Sequence, residues 1–320
     1  MSATQVSIGQ LLDLPLKHIR IGWDESLATV TLTSYVVPIQ CFSLGVLAEL
    51  KQVTDLISEL TRGTVRQLVF ASDVAGVYNF GGDLSLFVLL VRAKSLHGLK
   101  LYGRQCVDLV HWLECAADRG IYTLALVRGD ALGGGLESVL PVHCVIIERG
   151  TQAGFPEVLF NLYPGMGAWH FVARRSGFGV ATRMITSGAI YGADELHRLC
   201  VVDVVAGAGD GERVLHQEIR KSQPKLRGLL SALRMRSRIS PVTLQQLQNT
   251  VDDWAQAALG LTDRDLRLME RLARAQLQKV GGSEYGVIEA IKRLEIEAAL
   301  AAQPSANEEM IGVNDAPVAA

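Results

Sequence analysis

An α/β fold followed by a helical C-terminal region is the class this sequence predicts, on three observations. Short apolar, β-branched runs alternate with helical periodicities up to about residue 210. A glycine pair and a glycine triplet follow two of those runs, as they do where a strand turns sharply into a helix. Beyond about residue 210 the strand signals stop and amphipathic helices continue alone.

Taken in order, residues 27–36 (LATVTLTSYV) alternate and are rich in β-branched side chains, as a strand is, and Pro38 marks the turn beyond them. Val46, Leu50, Val53, Ile57 and Leu60 recur at helical spacing up to Gly63. Residues 67–71 (QLVFA) form a short apolar run of the kind that is buried on both faces. A second helix is expected from about Gly103 to Gly120 with Val107, Val110 and Ala117 inward. Buried strands follow at Tyr122–Val127 and His143–Glu148, with a glycine-rich turn and a helix start between them. Strands alternating with helices imply largely parallel pairing. Later, Leu244, Leu247, Val251, Trp254 and Ala258 make one apolar stripe. Leu266, Met269, Ala273, Leu277 and Val280 make another, opened by the capping pattern Thr262-x-x-Asp265. The chain is therefore expected to hold an α/β core at 1–210, a helical region at 211–300 and a disordered Ala/Pro/Asn/Glu-rich tail at 301–320. No internal repeat is visible in the sequence.

Composition narrows the function. The 320 residues are 49% hydrophobic and 20% charged, with a formal net charge of −2, which argues against a general nucleic-acid or anionic-membrane binder. No apolar stretch approaches the ~18–20 residues of a membrane span. The N-terminal MSATQVSIGQ lacks a signal peptide's layout, so a cytoplasmic location is expected. Cys41, Cys106, Cys115, Cys144 and Cys200 are odd in number and dispersed, without a C-x-x-C, which suggests neither a disulfide framework nor zinc. The histidines show no ligand spacing either, and His143 and His170, though near the unusual segments, are expected to be structural. No metal or cofactor is expected.

Three segments carry residues that invite chemistry. Tyr78-Asn79-Phe80-Gly81-Gly82-Asp83-Leu84 follows a buried strand, and its paired glycines would let a ligand approach backbone N–H groups; Asp83 as a helix N-cap is the plainer reading. Gly129-Asp130-Ala131-Leu132-Gly133-Gly134-Gly135-Leu136-Glu137 lacks the Lys of a phosphate loop and the spacing of a dinucleotide fingerprint. It leaves a backbone oxyanion site with Glu137 on the next helical turn, or a first-turn carboxylate favoured by the helix dipole. Gly154-Phe155-Pro156-Glu157-Val158 continues to Pro164-Gly165-Met166-Gly167 and sets a carboxylate among apolar neighbours, where burial would raise its pKa into the range of an acid or base. Together, two glutamates and two sets of free N–H groups suit proton transfers beside a thioester carbonyl.

The pattern G-x-A-L-G-G-G-x-E, then Pro156-Glu157, then P-G-x-G, resembles the crotonase (enoyl-CoA hydratase/isomerase) superfamily across about residues 25–285. The resemblance implies a spiral of ββα units with C-terminal helices used in trimer formation, as a homotrimer or dimer of trimers. It places the oxyanion donors at Gly82 and Gly134 and the catalytic carboxylates at Glu137 and Glu157. The strings YNFGGD, GDALGGGLE, GFPEVLFNLYPGMGAW, Pro224-Lys225-Leu226 and Met269–Gln276 further resemble the diffusible signal factor synthases. That family dehydrates 3-hydroxyacyl chains held on acyl carrier protein and hydrolyses the thioester, releasing a cis-2-unsaturated fatty acid used in quorum sensing. Many crotonases carry a Lys or Arg before the first oxyanion segment, available to the coenzyme A phosphates; here Ala75-Gly76-Val77 stand there. Phe80 occupies a position where many have a small residue and would narrow the pocket. Leu84, Phe87, Leu136, Leu162, Tyr163 and Trp169 lie beside the catalytic segments and are the candidate walls of an acyl tunnel. The other readings are a coenzyme A-dependent enoyl hydratase of fatty acid degradation and a weakly catalytic member that mainly binds a sensor or regulator protein.

Overall fold

Strands without a polar face have to be covered on both sides, and the chain meets that demand by winding repeatedly between a large sheet, a small sheet and helices. The computed structural model describes residues 6–36 and 38–280. Helix α1 (Ile8–Leu12) precedes the antiparallel pair β1 (Ile19–Asp24) and β2 (Thr29–Ser34), and α2 (Leu44–Glu59) leads on to β3 (Gln67–Ser72). From β3 onward a unit recurs in which a strand of the large sheet is followed by a short strand of the small sheet and then helix. The first unit is β3, β4 (Val77–Asn79) and the helices α3 (Leu84–Arg92), α4 (Leu96–Glu114) and α5 (Ala116–Arg119). The second is β5 (Tyr122–Val127), β6 (Asp130–Leu132) and α6 (Gly134–Glu137). The third is β7 (Cys144–Glu148), β8 (Gln152–Gly154) and a 3-10 turn, Pro156–Phe160, before α7 (Ala168–Ser176) and α8 (Phe178–Ser187). Strand β9 (Ile190–Gly192), helix α9 (Ala193–Arg198) and β10 (Val204–Ala206) close the two sheets.

The large sheet has the order β1-β2-β3-β5-β7-β10 and is parallel apart from the first pair; the small sheet runs β4-β6-β8-β9, with β9 antiparallel. This is the spiral of ββα units that the resemblance implies. The repeat lies in the path of the backbone: each unit keeps strand and turn positions while changing its side chains, which is why the sequence alone shows none. Strand β5 occupies the expected residues, β3 and β7 differ from expectation by one residue at an end, and α2 stops at Glu59, four residues before the expected Gly63. Helix α4 begins at Leu96 rather than Gly103, because the Ser95 hydroxyl accepts from the Gly98 N–H and caps it early. The strands of the small sheet are three residues each, too short to show a period of two.

After β10 every described element is helical: α10 (Gly211–Ser222), a 3-10 turn at Gln223–Lys225, α11 (Leu226–Ile239), α12 (Leu244–Leu259) and α13 (Asp263–Lys279). Capping boxes at Thr243/Gln246 and Thr262/Asp265 start the last two, the second as the sequence predicts. Leu247, Val251, Trp254 and Ala258 of α12 are buried, as are Leu266, Met269, Ala273 and Leu277 of α13. Helix α12 packs on α4, and α13 on α3. The expected helical stretch from residue 281 and the expected tail at 301–320 lie outside the described residues. A buried ion pair, Arg174 to Glu114 at 2.5 Å, ties α7 to α4, and the Ser237 hydroxyl of α11 donates to the same carboxylate at 3.0 Å.

The α4–α12 crossing depends on one small residue. A Cβ on Gly103 would lie 2.6 Å from Val251 Cγ1, so the helices meet at a separation that excludes even alanine. Gly103→Ala is expected to destabilise the protein by about 1–3 kcal/mol in denaturant unfolding. Val251→Ala made in the same chain should relieve the clash, leaving the double variant less destabilised than the sum of the two single changes; additive losses would show that this contact does not set the crossing.

Candidate active site

Two strand-to-helix turns form the site. In the first, Asn79 at the end of β4 accepts the Gly81 N–H on its side-chain oxygen at 2.7 Å, and Phe42 donates its N–H to the Gly81 carbonyl at 2.8 Å. Asp83 is an N-cap, as the plainer sequence reading has it: its carboxylate accepts from the Ser85 and Leu86 N–H groups at 3.0 and 3.1 Å and so starts α3. The Phe87 ring of that helix folds back over Gly82, where a Cβ would meet Cζ at 2.5 Å. The Tyr102 hydroxyl donates to the Phe42 carbonyl at 2.6 Å and accepts the Asp83 N–H at 3.2 Å, which holds the turn from below.

In the second turn the three glycines do different things. Gly133 has φ +52° and ψ −123°, a conformation suited to glycine, and a Cβ there would collide with Glu157 Oε1 at 2.2 Å. Gly134 is the first residue of α6, where an N–H has no carbonyl one turn earlier to bond. Gly135 backs onto the Asn79 carbonyl oxygen, 2.0 Å from where its Cβ would be. The turns therefore abut: a Cβ on Gly134 would stand 3.4 Å from the Gly82 nitrogen. Neither the Gly82 nor the Gly134 N–H has an acceptor among the described residues. Two adjacent, unengaged N–H groups are what a developing oxyanion requires.

Both glutamates come to this place. Glu137, on α6, is buried, and its Oε1 accepts the Met166 and Ala168 N–H groups at 2.8 and 2.9 Å from the loop into α7. Burial pushes its pKa up to about 7, against the pull of those two hydrogen bonds. Glu157 stands on the 3-10 turn after β8, and its Oε2 is a buried oxygen without a hydrogen-bond partner. Burial first, and the Glu137 charge second, hold its carboxyl well above the usual range. Like charges in a common low-dielectric site resist ionising together, so burial and mutual repulsion both favour retention of a proton on the pair.

The carboxyls and the Gly82 and Gly134 turns line one cavity of about 290 Å³. Four of the expected wall residues, Leu84, Phe87, Leu162 and Tyr163, are on it, and Phe80 is as well. Leu136 and Trp169 are not. Leu136 is 1% exposed within the core behind α6, and Trp169, partly buried, packs on that core without reaching the cavity. Beside further residues of the catalytic segments, such as Phe160 and Met166, part of the wall comes from distant sequence: Tyr102, Gly103 and Cys106 of α4, Trp254 of α12, and Leu272 and Gln276 of α13. Phe87 packs edge-on to Tyr102 and Trp254 at 5.1 and 5.0 Å. Only proximity in the chain guided the sequence reading, so a wall built by later helices was beyond it. Among the described residues no lysine or arginine lines the cavity.

Neither histidine near the unusual segments lines the cavity. His143 accepts the Thr123 N–H at 2.9 Å, and burial lowers its pKa to about 3, so it is neutral. His170 lies outside the cavity wall, and all five cysteines are unpaired. Among the described residues, no cluster of His, Cys, Asp and Glu could hold a metal ion, and no helix is long and apolar enough to cross a membrane.

The raised carboxyl pKa has a consequence for stability. A glutamate whose folded pKa exceeds its unfolded value costs nothing when both states are protonated, and its penalty grows as pH rises from the unfolded to the folded pKa. Gln at 137 keeps an oxygen for the Met166 and Ala168 N–H groups but cannot ionise. The melting temperature of Glu137→Gln should therefore gain on wild type from about pH 4.5 to about pH 7, by roughly 5 °C, and then level off. A difference that does not change with pH would show that Glu137 titrates normally.

Comparison with known proteins agrees with this architecture. The family model described as enoyl-CoA hydratase/isomerase matches residues 25–249. A glyoxysomal fatty acid beta-oxidation multifunctional protein, MFP-a, from Brassica napus is 30% identical over 187 residues, which are 58% of this chain and 24% of that protein. The chain thus spans about a quarter of that relative's length. Among solved structures, an enoyl-CoA hydratase from Bacillus halodurans superposes with a TM-score of 0.67 at 14% identity, covering 79% of this chain and 98% of the other. DspI from Pseudomonas aeruginosa superposes with a TM-score of 0.59 at 21% identity, covering 72% and 91%. At these identities the superpositions speak for the fold, while the family model speaks for descent: the chain belongs to the enoyl-CoA hydratase/isomerase family.

Proposed function

We propose that this enzyme dehydrates a 3-hydroxyacyl thioester borne by acyl carrier protein and then hydrolyses the product, releasing a cis-2-unsaturated fatty acid of the diffusible signal factor class. The observation that carries the reading is the pair of buried carboxyls sharing one apolar cavity with the free Gly82 and Gly134 N–H groups. In the first step those N–H groups polarise the thioester carbonyl and make the C2 proton acidic. One carboxylate of the Glu137–Glu157 pair takes that proton, and the protonated partner gives its own to the C3 hydroxyl. Water leaves and the C2–C3 double bond forms. In the second step a carboxylate takes a proton from water as its oxygen attacks the same carbonyl. The tetrahedral oxyanion rests on the same N–H pair, and the thiolate departs with a proton. One preorganised hole can serve both steps, because charge develops on the same oxygen each time. A pair that retains one proton has an acid and a base ready in either step.

Preference for a carrier-borne thioester draws on the cavity wall, which among the described residues offers no cation to coenzyme A phosphates, and on the closer string matches to the signal synthases. A coenzyme A-dependent enoyl hydratase is the second reading, favoured by the beta-oxidation relative.

Mass spectrometry of products separates the two. Purified enzyme is incubated with 3-hydroxydodecanoyl-acyl carrier protein and, separately, with the coenzyme A ester, beside Glu137→Gln and Glu157→Gln variants. Free cis-2-enoic acid from the carrier substrate is expected, reduced about 100-fold or more in each variant. Turnover of the coenzyme A ester alone, stopping at the enoyl thioester, would assign the chain to the hydratases.

A further inference from the structure

Helix α13 has two functional faces. Its inner side buries Leu266, Met269, Ala273 and Leu277 and lends Leu272 and Gln276 to the cavity wall. On the other side Arg264, Arg267, Arg271 and Arg274 recur at three- and four-residue spacing, share one face and are all exposed. The ion pairs that anchor the helix use other residues, Glu270 with Arg92 and Lys279 with Asp130. The four guanidinium groups span about 15 Å of helix. This is a local basic stripe on a chain whose formal net charge is −2, so it directs an acidic partner to one place rather than to the whole surface.

Its position points toward the catalytic centre. Arg264 and Arg271, with Leu159, Asn161, Asp265 and Leu268, surround a second cavity of about 290 Å³. Leu159 belongs to the same 3-10 turn as Glu157 and is 61% exposed, a large apolar side chain left in water. Ile190, 40% exposed, lines the catalytic cavity itself and so marks an opening of it to solvent. Beside that opening, an apolar contact and a row of cations suit a folded partner with an acidic face better than a compact phosphate group, which a pair of arginines would satisfy.

On the reading that the substrate arrives on a carrier, we infer that the arginine face of α13, with Leu159 at its edge, is the docking surface for an acidic acyl carrier protein. The carrier sits on the outer face of the helix, and its thioester arm passes to the inner face, where the cavity lies. Binding at the rim by charge sets the encounter rate and its salt dependence, and leaves the uncharged wall to hold the chain.

The test is a titration of the full chain with acyl carrier protein whose arm bears a non-hydrolysable 3-hydroxydodecanoyl thioether. Wild type, the double variant Arg267→Glu/Arg274→Glu and the charge-keeping Arg267→Lys/Arg274→Lys are compared, with melting temperatures to confirm that each is folded. The expected result is affinity that falls as salt rises, a dissociation constant at least tenfold weaker in the Glu variant, and one within about threefold of wild type in the Lys variant. Absence of wild-type binding, or equal binding by the Glu variant, would overturn the assignment. So would an equal loss of affinity for the coenzyme A thioether, which would make the arginines a nucleotide-phosphate site, or charge-dependent binding only to phosphatidylglycerol vesicles, which would make them a membrane contact. Turnover of 3-hydroxydodecanoyl-N-acetylcysteamine, which has no carrier to dock, is measured in parallel. Its loss in wild type would count against the proposed chemistry, whereas its presence without carrier binding would count against the docking surface alone.

Discussion

The backbone of the Gly81–Gly82 turn lies directly against that of the Gly133–Gly135 turn, with no side chain between them, and the site depends on that contact. A Cβ on Gly135 would stand 2.0 Å from the Asn79 carbonyl oxygen, and one on Gly81 would stand 2.8 Å from the Gly134 nitrogen. Backbone cannot yield as a flexible side chain can, so these positions hold the second and first ββα units at a fixed spacing. From that spacing follow the adjacency of the two free N–H groups, the place of Glu137 one turn along α6, and the gap at Gly133 that the Glu157 carboxyl fills. Parallel pairing of β4 with β6 and of β6 with β8 sets the turns in neighbouring register, so the small sheet acts as the ruler of the site.

The two carboxyls are not equivalent. Glu137 is buried but has two N–H donors, whereas Glu157 has a buried oxygen with none. A fold selected for stability alone would not desolvate a second carboxyl beside the first, since an unpaired buried polar group costs on the order of 1–3 kcal/mol. The core surrounding them, with Phe155 and Phe171 wholly buried, is extensive enough to carry that cost. Local destabilisation at a constellation able to move protons, inside an otherwise well-satisfied core, is the usual signature of a functional site.

The sequence made the large sheet legible and the small one not, for a physical reason. Strands β3, β5 and β7 are buried on both faces and show as apolar runs, while β4, β6, β8 and β9 are three-residue segments whose information lies in the turns after them. Those turns could be recognised because glycine at closely packed positions cannot be replaced cheaply, so Gly82, Gly133, Gly134 and Gly135 stand out even when the strands do not. Glu157 is legible because carboxylates are rare among apolar neighbours, and Glu137 because it follows the glycine triplet on the next helical turn. The cavity wall was only half legible. Leu84, Phe87, Leu162 and Tyr163 are near the turns in sequence as well as in space, but Tyr102, Cys106, Trp254, Leu272 and Gln276 arrive through helix packing that periodicity does not specify. Leu136 shows the converse: its neighbours in the chain, Gly134 and Glu137, line the cavity, and it faces the core.

The separation of charge on α13 follows from what the carboxyls need. A lysine or arginine on the cavity wall would favour the ionised form of Glu137 and Glu157 and draw both pKa values back toward the ordinary range, against retention of a proton on the pair. Cations on the outer face of the same helix are absent from the cavity wall and bathed in solvent, where screening acts over a Debye length of about 8 Å. They can attract an acidic partner without retuning the acid and base inside. Helix α13 is held in this position at its start, where Asn161 donates to Asp265 at 2.7 Å, along its length by Arg92 and Glu270, and at its end by Lys279 and Asp130. An amphipathic helix thus keeps an exposed row of cations electrostatically apart from the buried carboxyls on the cavity it helps to wall.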